Sequence, residues 1–600
     1  MIRLPAPIFS AMDEFFSDEA IIRRLCLERA KVADKERERL RLQTIAKADS
    51  TRRLGKRQKM LLGMFPPRRL WKRPHWRREM RGRDLTAWML FQTVMGMWDT
   101  PEARSTRWHI SLRRMVNGIR RRALNGTGYV FTRPQVVSHE KDRAKAEYRA
   151  IACYGLVDSV VQPLTTEYLQ TCFDPDLLDC SCAYRLGSKG RPAPKHHDVL
   201  RAIVQFLEQS RGRELWVGEC DIRKFFDCLH HDVARAALQK AVWRAEARGV
   251  RVDPRALAIV SAYLDSYSFP REVLGIALPK LRTMDPAGTF SWPGLDGGLN
   301  EFYPDPSKED IGIPQGGAIS GMIANLVLHH ADEAVTQGGP DERRFYKRYS
   351  DDIILIHSDR RACEEGMARY FAALKELRLP VHPVRPEIPY GRQFWGQKSK
   401  GPYRWTDHPG GVPWVGFVGY QVHYDGHIRV RPSSLRKHRE RLWGEVEQVM
   451  VQLLLAQNWS ETRGETLVVR TKRIMASMRN RMAAIGVGVA KQQSAYSRVP
   501  GHCWVGGFQL LAEFPHQRGQ LRSLDRAREL NLCKLSRWIG RFSTEARSVE
   551  DADRARRLKH DRRSYQRSYV GHFRRELSLC RSRWWEAQRP KRITGKGGGK

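Results

Sequence analysis

The sequence has no apolar run that approaches the roughly 18 residues needed to cross a bilayer. Its first residues, MIRLPAPIFSAMDEFF, also lack the apolar core and the cleavage site of a signal peptide. Both absences argue against an integral membrane protein and against an exported one. The sequence therefore predicts a cytoplasmic protein that has no membrane partner.

The 11 cysteines are scattered along the 600 residues, and the closest pair, Cys180 and Cys182, is spaced C-x-C. The sequence contains no C-x-x-C motif and no Cys/His cluster with the spacing of a zinc finger. This pattern predicts reduced thiols, many of them buried as small apolar side chains. A structural zinc site is not expected.

Acidic residues are also in short supply. There are 66 Asp and Glu residues against 106 Lys and Arg residues, which gives a formal net charge of +40. A surplus of this size destabilises a compact fold by self-repulsion unless a polyanion neutralises it. Since no segment suits a membrane, nucleic acid is a better candidate for that polyanion than acidic lipid.

Composition divides the chain into four regions. Residues 1–105 alternate acidic and basic residues with sparse apolar positions, which predicts a basic helical N-terminal extension that either faces nucleic acid or is merely solvated. Residues 106–435 mix short β-rich runs with helices, and a Pro/Gly-rich stretch at 282–310 indicates a long loop. Helical patterns return at 436–510 and at 511–600, where the basic ending PKRITGKGGGK predicts a disordered tail.

Acidic residues at two places have unusually apolar surroundings. Asp221 follows shortly after the apolar run at 215–217, which predicts a buried strand that delivers one carboxylate at its end. Asp351 and Asp352 lie in RRFYKRYSDDIILIHSD, between apolar or aromatic residues on both sides. This arrangement predicts a hairpin with both acids at or near its tip.

The segment between these acids is DIGIPQGGAISGMIANLVLHHADEAV, a Gly/Pro turn followed by an apolar helix. Glycines in the turn let the backbone approach a ligand closely, with a helix N-terminus just behind them. Carboxylates from two strands of one sheet can meet at one point, where two Mg2+ ions about 4 Å apart would relieve their repulsion and assist phosphoryl transfer. The alternative for an Asp-Asp pair alone is a surface turn.

Three motifs, taken in order, resemble the palm signature of reverse transcriptases: D-x-x-x-x-F-D (221–227), G-I-P-Q-G-G (312–317) and Y-S-D-D (349–352). The flanking segments 146–170 and 415–438 are similar to the fingers and primer-grip regions of the same family. The resemblance implies an α+β, right-hand polymerase fold, with fingers and palm that contain an antiparallel sheet and with a helical thumb. It also implies an RNA-directed DNA polymerase that uses two Mg2+ ions, dNTPs, RNA and DNA.

The resemblance also implies roles for individual residues. Asp221 and Asp351 would be the principal catalytic metal ligands, with Asp352 assisting. Phe226 would be the steric gate that selects dNTPs by crowding a ribose 2′-hydroxyl, and Asp227 would be a helix cap. The other predicted substrate-binding residues are Gln315 and Gly316 against the nucleotide and template, Arg149 and Lys145 at the triphosphate, and Arg385, whose permanent charge suits charge stabilisation rather than proton donation.

Within the family, the chain is most similar to the bacterial defence-associated ("unknown group") reverse transcriptases. The likeness is carried by the segment QFWGQKSKGPYRW at 393–405 and by a helical C-terminal region without a recognisable nuclease, while Ser350 in the Y-S-D-D motif differs from the Ala that mobile-intron enzymes usually have. The likeness implies antiphage defence with a noncoding RNA, a second reverse transcriptase or both, or as a homo-oligomer, and some members of this group use an unusual template or none. The alternatives are a mobile-element enzyme, of group II intron or retron type, and a polymerase-like scaffold that only binds RNA.

Overall fold

The computed structural model describes residues 12–46, 55–72, 82–125, 128–142, 147–187, 192–274, 290, 292–385, 389–455, 467–487 and 503–542. Lys145, the basic tail at 590–600 and the first part of the predicted loop at 282–310 lie outside these ranges. Within them, no helix combines the length and the apolar character needed to cross a membrane.

Contacts between residues divide the chain into two compact units. The first comprises Met1–Val32, Leu54–Arg73 and Thr86–Val418, and the second comprises Ala33–Arg53, Pro74–Leu85 and Gly419–Lys600. The N-terminal region is largely helical where it is described, as predicted, but its residues belong to both units and do not form a unit of their own.

Helices make up most of the first unit, and local signals set where several of them begin. Asp253 accepts a hydrogen bond from the Arg255 N–H ahead of one helix, and Asp359 accepts one from the Ala362 N–H ahead of another. In chain order the helices are α1 (Met12–Phe15), α2 (Asp18–Ala46), α3 (Lys56–Gly63), α4 (Gly82–Met97), α5 (Pro101–Arg104), α6 (Arg107–Leu124), α7 (Asp158–Phe173), α8 (His196–Gln209), α9 (Phe225–Cys228), α10 (His231–Ala247), α11 (Pro254–Asp265), α12 (Ala318–Thr336), α13 (Arg360–Glu376) and α14 (Arg392–Gly396). The end of α2 and the start of α4 fall in the ranges of the second unit.

The first unit contains a four-stranded sheet with the strand order β4-β5-β3-β6, in which every pair of neighbours is antiparallel. Its strands are β3 (Trp216–Cys220), β4 (Arg344–Tyr349), β5 (Asp352–His357) and β6 (Lys400–Arg404). A separate hairpin is formed by β1 (Gln135–Asp142) and β2 (Glu147–Cys153), and β7 (Trp414–Phe417) follows β6 in the chain. The predicted α+β class with antiparallel sheets is therefore confirmed. The arrangement as fingers, palm and thumb stays a prediction.

Both outer strands of this sheet have features that interrupt regular pairing. On the β4 side, Arg348 exchanges backbone hydrogen bonds with Cys180 and Cys182, at 2.8 and 2.9 Å. On the other side, β6 contains Pro402, which has no backbone N–H, and its pairing with β3 is broken by a register shift.

The largest apolar core of the first unit packs helices against the sheet. Helix α12 is buried along almost its whole length, which explains why its sequence is apolar on every side. A Cβ atom at Gly366 would lie 2.7 Å from Leu355 Cδ2, so this glycine lets α13 approach β5 closely. The core holds the strands in the register that positions the acidic residues.

The second unit has a core of its own, built by long helices. Its described elements are β8 (Tyr420–His423), β9 (Ile428–Val430), α15 (Pro432–Leu455), α16 (Leu467–Gly486), α17 (Trp504–Gly507) and α18 (Arg518–Phe542). Strands β8 and β9 pair antiparallel, and Arg481 of α16 donates two hydrogen bonds to Glu445 of α15, at 2.9 and 3.0 Å. The predicted regions 436–510 and 511–600 contain helices where the structure describes them, and their assignment as a thumb and a C-terminal region stays a prediction.

Candidate active site

A cavity of about 850 Å3 in the first unit contains the predicted acidic residues. Its walls come from β2, from the ends of β3 and of the β4–β5 hairpin, from α9 and from the turn ahead of α12. The residues predicted from the sequence that line it are Arg149, Asp221, Phe226, Gln315, Gly316, Asp351 and Asp352.

Asp221 follows the last residue of β3, as the sequence predicted. Cys220 pairs with Ile353, so Asp221 comes level with the start of β5. The Asp221 N–H donates to Ser399 Oγ at 3.2 Å, and the Asp221 carbonyl oxygen accepts from the His382 N–H at 3.2 Å. The backbone that carries this carboxylate is therefore held on two sides.

The other acids lie at the tip of the β4–β5 hairpin, which confirms the predicted local structure. Tyr349 pairs with Asp352, which leaves Ser350 and Asp351 as the turn. Ser350 has a φ of +62°, in the left-handed region that costs energy for a residue with a Cβ atom. A turn of this kind needs support from its surroundings.

That support is a fully buried ion pair beneath the hairpin. The Arg348 guanidinium donates to both carboxylate oxygens of Asp332, with the shortest contact at 2.6 Å, and to Asn325 Oδ1 at 3.1 Å. The same guanidinium donates to the Ser350 carbonyl oxygen at 3.0 Å. Because the guanidinium is fixed at Asp332 and Asn325, it also fixes the backbone immediately before Asp351.

The electrostatics of the cavity reflect its crowding by carboxylates. Burial raises the pKa of Asp351, the nearby Asp221 carboxylate raises it further, and the Arg149 guanidinium opposes this rise. Burial also raises the pKa of the Cys220 thiol to about 12, against a hydrogen bond with Ser399, and the carboxylates of Asp221, Asp352 and Asp351 add to it. Negative charge from all three acids thus concentrates at the end of β3.

The donor chemistry of these acids fits Mg2+, which prefers one or two carboxylates and takes its remaining ligands from water and substrate phosphates. Among the described residues, no group of three or more His, Cys, Asp or Glu side chains is close enough to form a ready-made metal cage. Asp221 and Asp351, which bring carboxylate charge to one cavity, are the residues that would hold the metal. Two-metal binding stays a prediction.

Phe226 and the glycine turn line the same cavity as the acids. The Ile313 N–H donates to the Phe226 carbonyl oxygen at 2.7 Å, which joins the turn to α9. The Phe226 ring is half-buried, stands edge-on to Phe225 at 5.2 Å between ring centroids, and lines the cavity. Gly316 has a φ of +85°, a conformation that favours glycine.

Asp227 differs from its predicted role as a helix cap. It lies within α9, is buried, and its Oδ1 accepts a hydrogen bond from Gln315 Nε2 at 2.7 Å. The residue ahead of α9 is Lys224, which has a φ of +51°. Asp227 therefore orients Gln315 and does not cap a helix, because α9 is a single turn that already begins at Phe225, two residues before Asp227.

The cations of the cavity are only partly those predicted. Arg149 is exposed on β2 and lines the cavity, whereas Arg385 is exposed and is not among the lining residues. Near Asp221 the structure places Lys398, whose Nζ is 3.3 Å from Asp221 Oδ2, and His382, whose Nε2 is 3.7 Å from it. The predicted role of Arg385 in charge stabilisation stays a prediction, since Arg385 does not line this cavity.

Two further ion pairs in the cavity were not predicted. Arg223, two residues after Asp221, is 2.6 Å from the carboxylate of Asp296, which belongs to the Pro/Gly-rich segment. Lys224 is 3.1 Å from the carboxylate of Glu147 on β2. The only sequence signal for these contacts was that both cations lie within three residues after a predicted metal ligand.

Among known proteins, the chain has similarity to solved structures of nucleic-acid polymerases. No protein-family model matches the chain, and no curated protein matches it. Solved structures with partial similarity include apo telomerase from Candida tropicalis (11% identity, TM-score 0.29, covering 76% of this chain and 74% of that one), telomerase from Candida albicans with a telomeric RNA fragment (10%, 0.27, 71% and 67%), and the RNA-dependent RNA polymerase of a human picobirnavirus (10%, 0.30, 75% and 66%). TM-scores this low do not establish a shared fold.

Proposed function

We propose that the chain is a reverse transcriptase, an RNA-directed DNA polymerase that adds dNTPs to a 3′ end by Mg2+-dependent phosphoryl transfer. One observation carries the proposal: strands β3 and β5 bring the carboxylates of Asp221 and Asp351 to one cavity, together with the Phe226 ring and the turn at Gly316. Three motifs far apart in the sequence thus meet at one point.

In the proposed reaction the 3′-hydroxyl oxygen of the growing strand forms a bond to the α-phosphorus of a dNTP. The bond from that phosphorus to the bridging oxygen of the β-phosphate breaks, pyrophosphate leaves, and the hydroxyl proton is released. Mg2+ held at Asp221 and Asp351 would supply positive charge for the attacking and leaving oxygens. Asp352, at the start of β5, assists at the same site.

The remaining cavity residues bind and select the substrate. Arg149 contacts the triphosphate, since a guanidinium pairs with phosphate oxygens in a bidentate way. Arg223 and Lys224 are already paired with Asp296 and Glu147, so a triphosphate that reaches them must displace a carboxylate. The Phe226 ring excludes a 2′-hydroxyl.

The proposed setting is antiphage defence, with a noncoding RNA and with a second reverse transcriptase or a second copy as partner. It is supported by the sequence likeness to defence-associated reverse transcriptases and by the net charge of +40, which suits a stable complex with nucleic acid. A mobile-element enzyme and a scaffold that binds RNA without catalysis are the competing functions. Genomic neighbourhood distinguishes defence from mobility.

Incorporation of labelled dNTPs by the purified full-length chain, with co-purifying nucleic acid retained and Mg2+ present, tests the proposal. Wild type is expected to incorporate, and Asp351→Asn and Asp221→Asn are each expected to abolish incorporation while RNA binding persists. Their defects should not add in the double variant, since both dismantle one site.

The matched control is Asp99→Asn, which removes a carboxylate that is 77% exposed and outside the cavity. It should incorporate like wild type. Undiminished incorporation by Asp351→Asn would refute the assignment of the site. RNA binding by wild type without any incorporation would favour the scaffold, and the sequence of the DNA product identifies the template.

A further inference from the structure

Tyr184 is the most exposed aromatic ring of the candidate active site. It lies between α7 and α8, lines the cavity, and is 49% exposed. Its φ of +54° is in the left-handed region, which is unfavourable for a bulky residue. A buried core position would explain neither the exposure nor the backbone strain.

The backbone around Tyr184 is held firmly in this conformation. The Tyr184 carbonyl oxygen accepts a hydrogen bond from Gln170 Nε2 at 2.5 Å, and the preceding carbonyl oxygen, of Ala183, accepts one from Asn325 Nδ2 at 2.7 Å. Arg185 donates to the carbonyl oxygens of Leu178 and Ser181, both at 3.1 Å. Strain that is maintained by contacts on both sides of a residue is typical of functional positions.

The ring of Tyr184 lies on the backbone of α12. A Cβ atom at Gly321 would be 2.8 Å from Tyr184 Cγ and from Tyr184 Cδ1, closer than any real Cβ contact. The glycine at this position is therefore what lets the ring rest against the helix. With one side against α12, the remaining exposed part of the ring faces the cavity that also contains Tyr349 and Asp351.

We propose that Tyr184 is a stacking platform for a nucleobase in the active site. A flat aromatic ring, rigidly backed and half exposed, matches the π-face of any base, and such stacking tolerates all base identities. The inference rests on the proposed function, because it presumes that a nucleotide enters this cavity. The base could belong to the incoming dNTP or to the template strand, and both present the same chemistry.

Binding of the base is measured with 2-aminopurine, whose fluorescence is quenched by stacking, on a primer terminated at its 3′ end so that catalysis is blocked. One arm uses 2-aminopurine deoxynucleoside triphosphate, and the other places 2-aminopurine at the templating position. In one arm, Tyr184→Leu is expected to lose the quench and to weaken binding by about 5- to 150-fold. Tyr184→Phe should behave like wild type, because it keeps the ring.

Gly321→Ala supplies a second, independent perturbation, because its methyl group displaces the ring without removing it. It should reproduce the effect of Tyr184→Leu, and adding it to Tyr184→Leu should cause little further loss. Thermal unfolding of each variant is compared with that of wild type to establish that the chain is folded.

The stacking role of Tyr184 would be overturned if Tyr184→Leu and wild type showed equal quenching and equal affinity in both arms. It would also be overturned if Tyr184→Phe lost as much quenching and affinity as Tyr184→Leu. The arm that responds identifies the source of the base. Incorporation with an ordinary primer is measured in parallel on wild type. If wild type incorporates dNTPs and the Tyr184 variants bind normally, the platform fails and the proposed polymerase function stands.

Discussion

The Nζ atom of Lys398 lies 3.3 Å from Oδ2 of Asp221, so a cation just ahead of β6 and the carboxylate that follows β3 share one end of the cavity. Lys398 directly precedes Ser399, whose Oγ accepts from the Asp221 N–H, and β6 begins at the next residue. The cation and the backbone that positions Asp221 therefore come from the same short segment. Two predictions concern this end of the cavity.

Replacing Lys398 with Gln is expected to lower dNTP incorporation by roughly 100-fold, because a fixed positive charge near the reacting phosphates is lost. Affinity for nucleic acid should change little, since one surface cation contributes little to it. Arg385→Gln is the matched control, because Arg385 is exposed and does not line the cavity. A larger defect for Arg385→Gln than for Lys398→Gln would restore the assignment based on the sequence alone.

The stability of the metal-free protein should depend on Asp351 in a defined direction. Burial raises the pKa of this carboxyl, so between the unfolded and folded pKa values the folded state binds more protons, and stability falls as the pH rises through that window. In a chelating buffer near neutral pH, Asp351→Asn should therefore unfold at a higher denaturant concentration than wild type. The advantage should shrink as the pH falls through the raised pKa.

Asp352→Asn is the control for this measurement, because Asp352 is exposed. It should change the free energy of unfolding much less than Asp351→Asn at every pH. Equal effects of the two substitutions would mean that the burial of Asp351 does not destabilise the metal-free fold.

Sugar selection should depend on Phe226. Truncation in Phe226→Ala removes the ring that lines the cavity next to Asp221, so ribonucleotides should be admitted while dNTP incorporation falls less than in Asp351→Asn. Competition between dNTP and rNTP on the same primer measures the ratio of deoxyribonucleotide to ribonucleotide incorporation. A structural role alone would cost up to about 3–5 kcal/mol of stability and leave the ratio unchanged. Phe173→Ala, at a fully buried ring of α7 that does not line the cavity, shows what core truncation alone does.

The salt dependence of the affinity for nucleic acid should depend on arginines of helix α6. A groove between α3 and α6 is lined by Arg114, Arg121 and Arg122, and the described residues offer these arginines no carboxylate partner. On the same helix, by contrast, Arg113 contacts Asp99 and Arg120 contacts Asp18. Each phosphate contact contributes about 0.7 to 0.9 to the slope of log affinity against log salt. Changing the three groove arginines to Gln should therefore reduce the steepness of that slope by about 2 to 2.7.

The control for charge alone is the triple variant Arg211→Gln, Lys240→Gln and Arg251→Gln, which removes three exposed cations outside the groove. Its slope should remain near the wild-type value. Identical slopes for the two triple variants would show that α6 is a solvated surface without a nucleic-acid partner.

The sequence predicted the parts of the site that depend on local patterns. The strand before Asp221, the hairpin around Asp351 and the apolar helix after Gly317 each have a periodicity that can be recognised within about ten residues. Contacts between distant segments were missed. The partnership of Lys398 with Asp221 depends on β6 pairing with β3, and that of Gln315 with Asp227 depends on where α9 begins.

The irregular outer strands of the β4-β5-β3-β6 sheet bear on how copies of this chain could associate. Strand addition between subunits needs a row of free, evenly spaced N–H and C=O groups. One side of this sheet already exchanges hydrogen bonds at Arg348, and the other contains Pro402 and a register shift. Strand addition between copies of this chain at the margins of this sheet is therefore disfavoured, and a homo-oligomer would have to form through another surface.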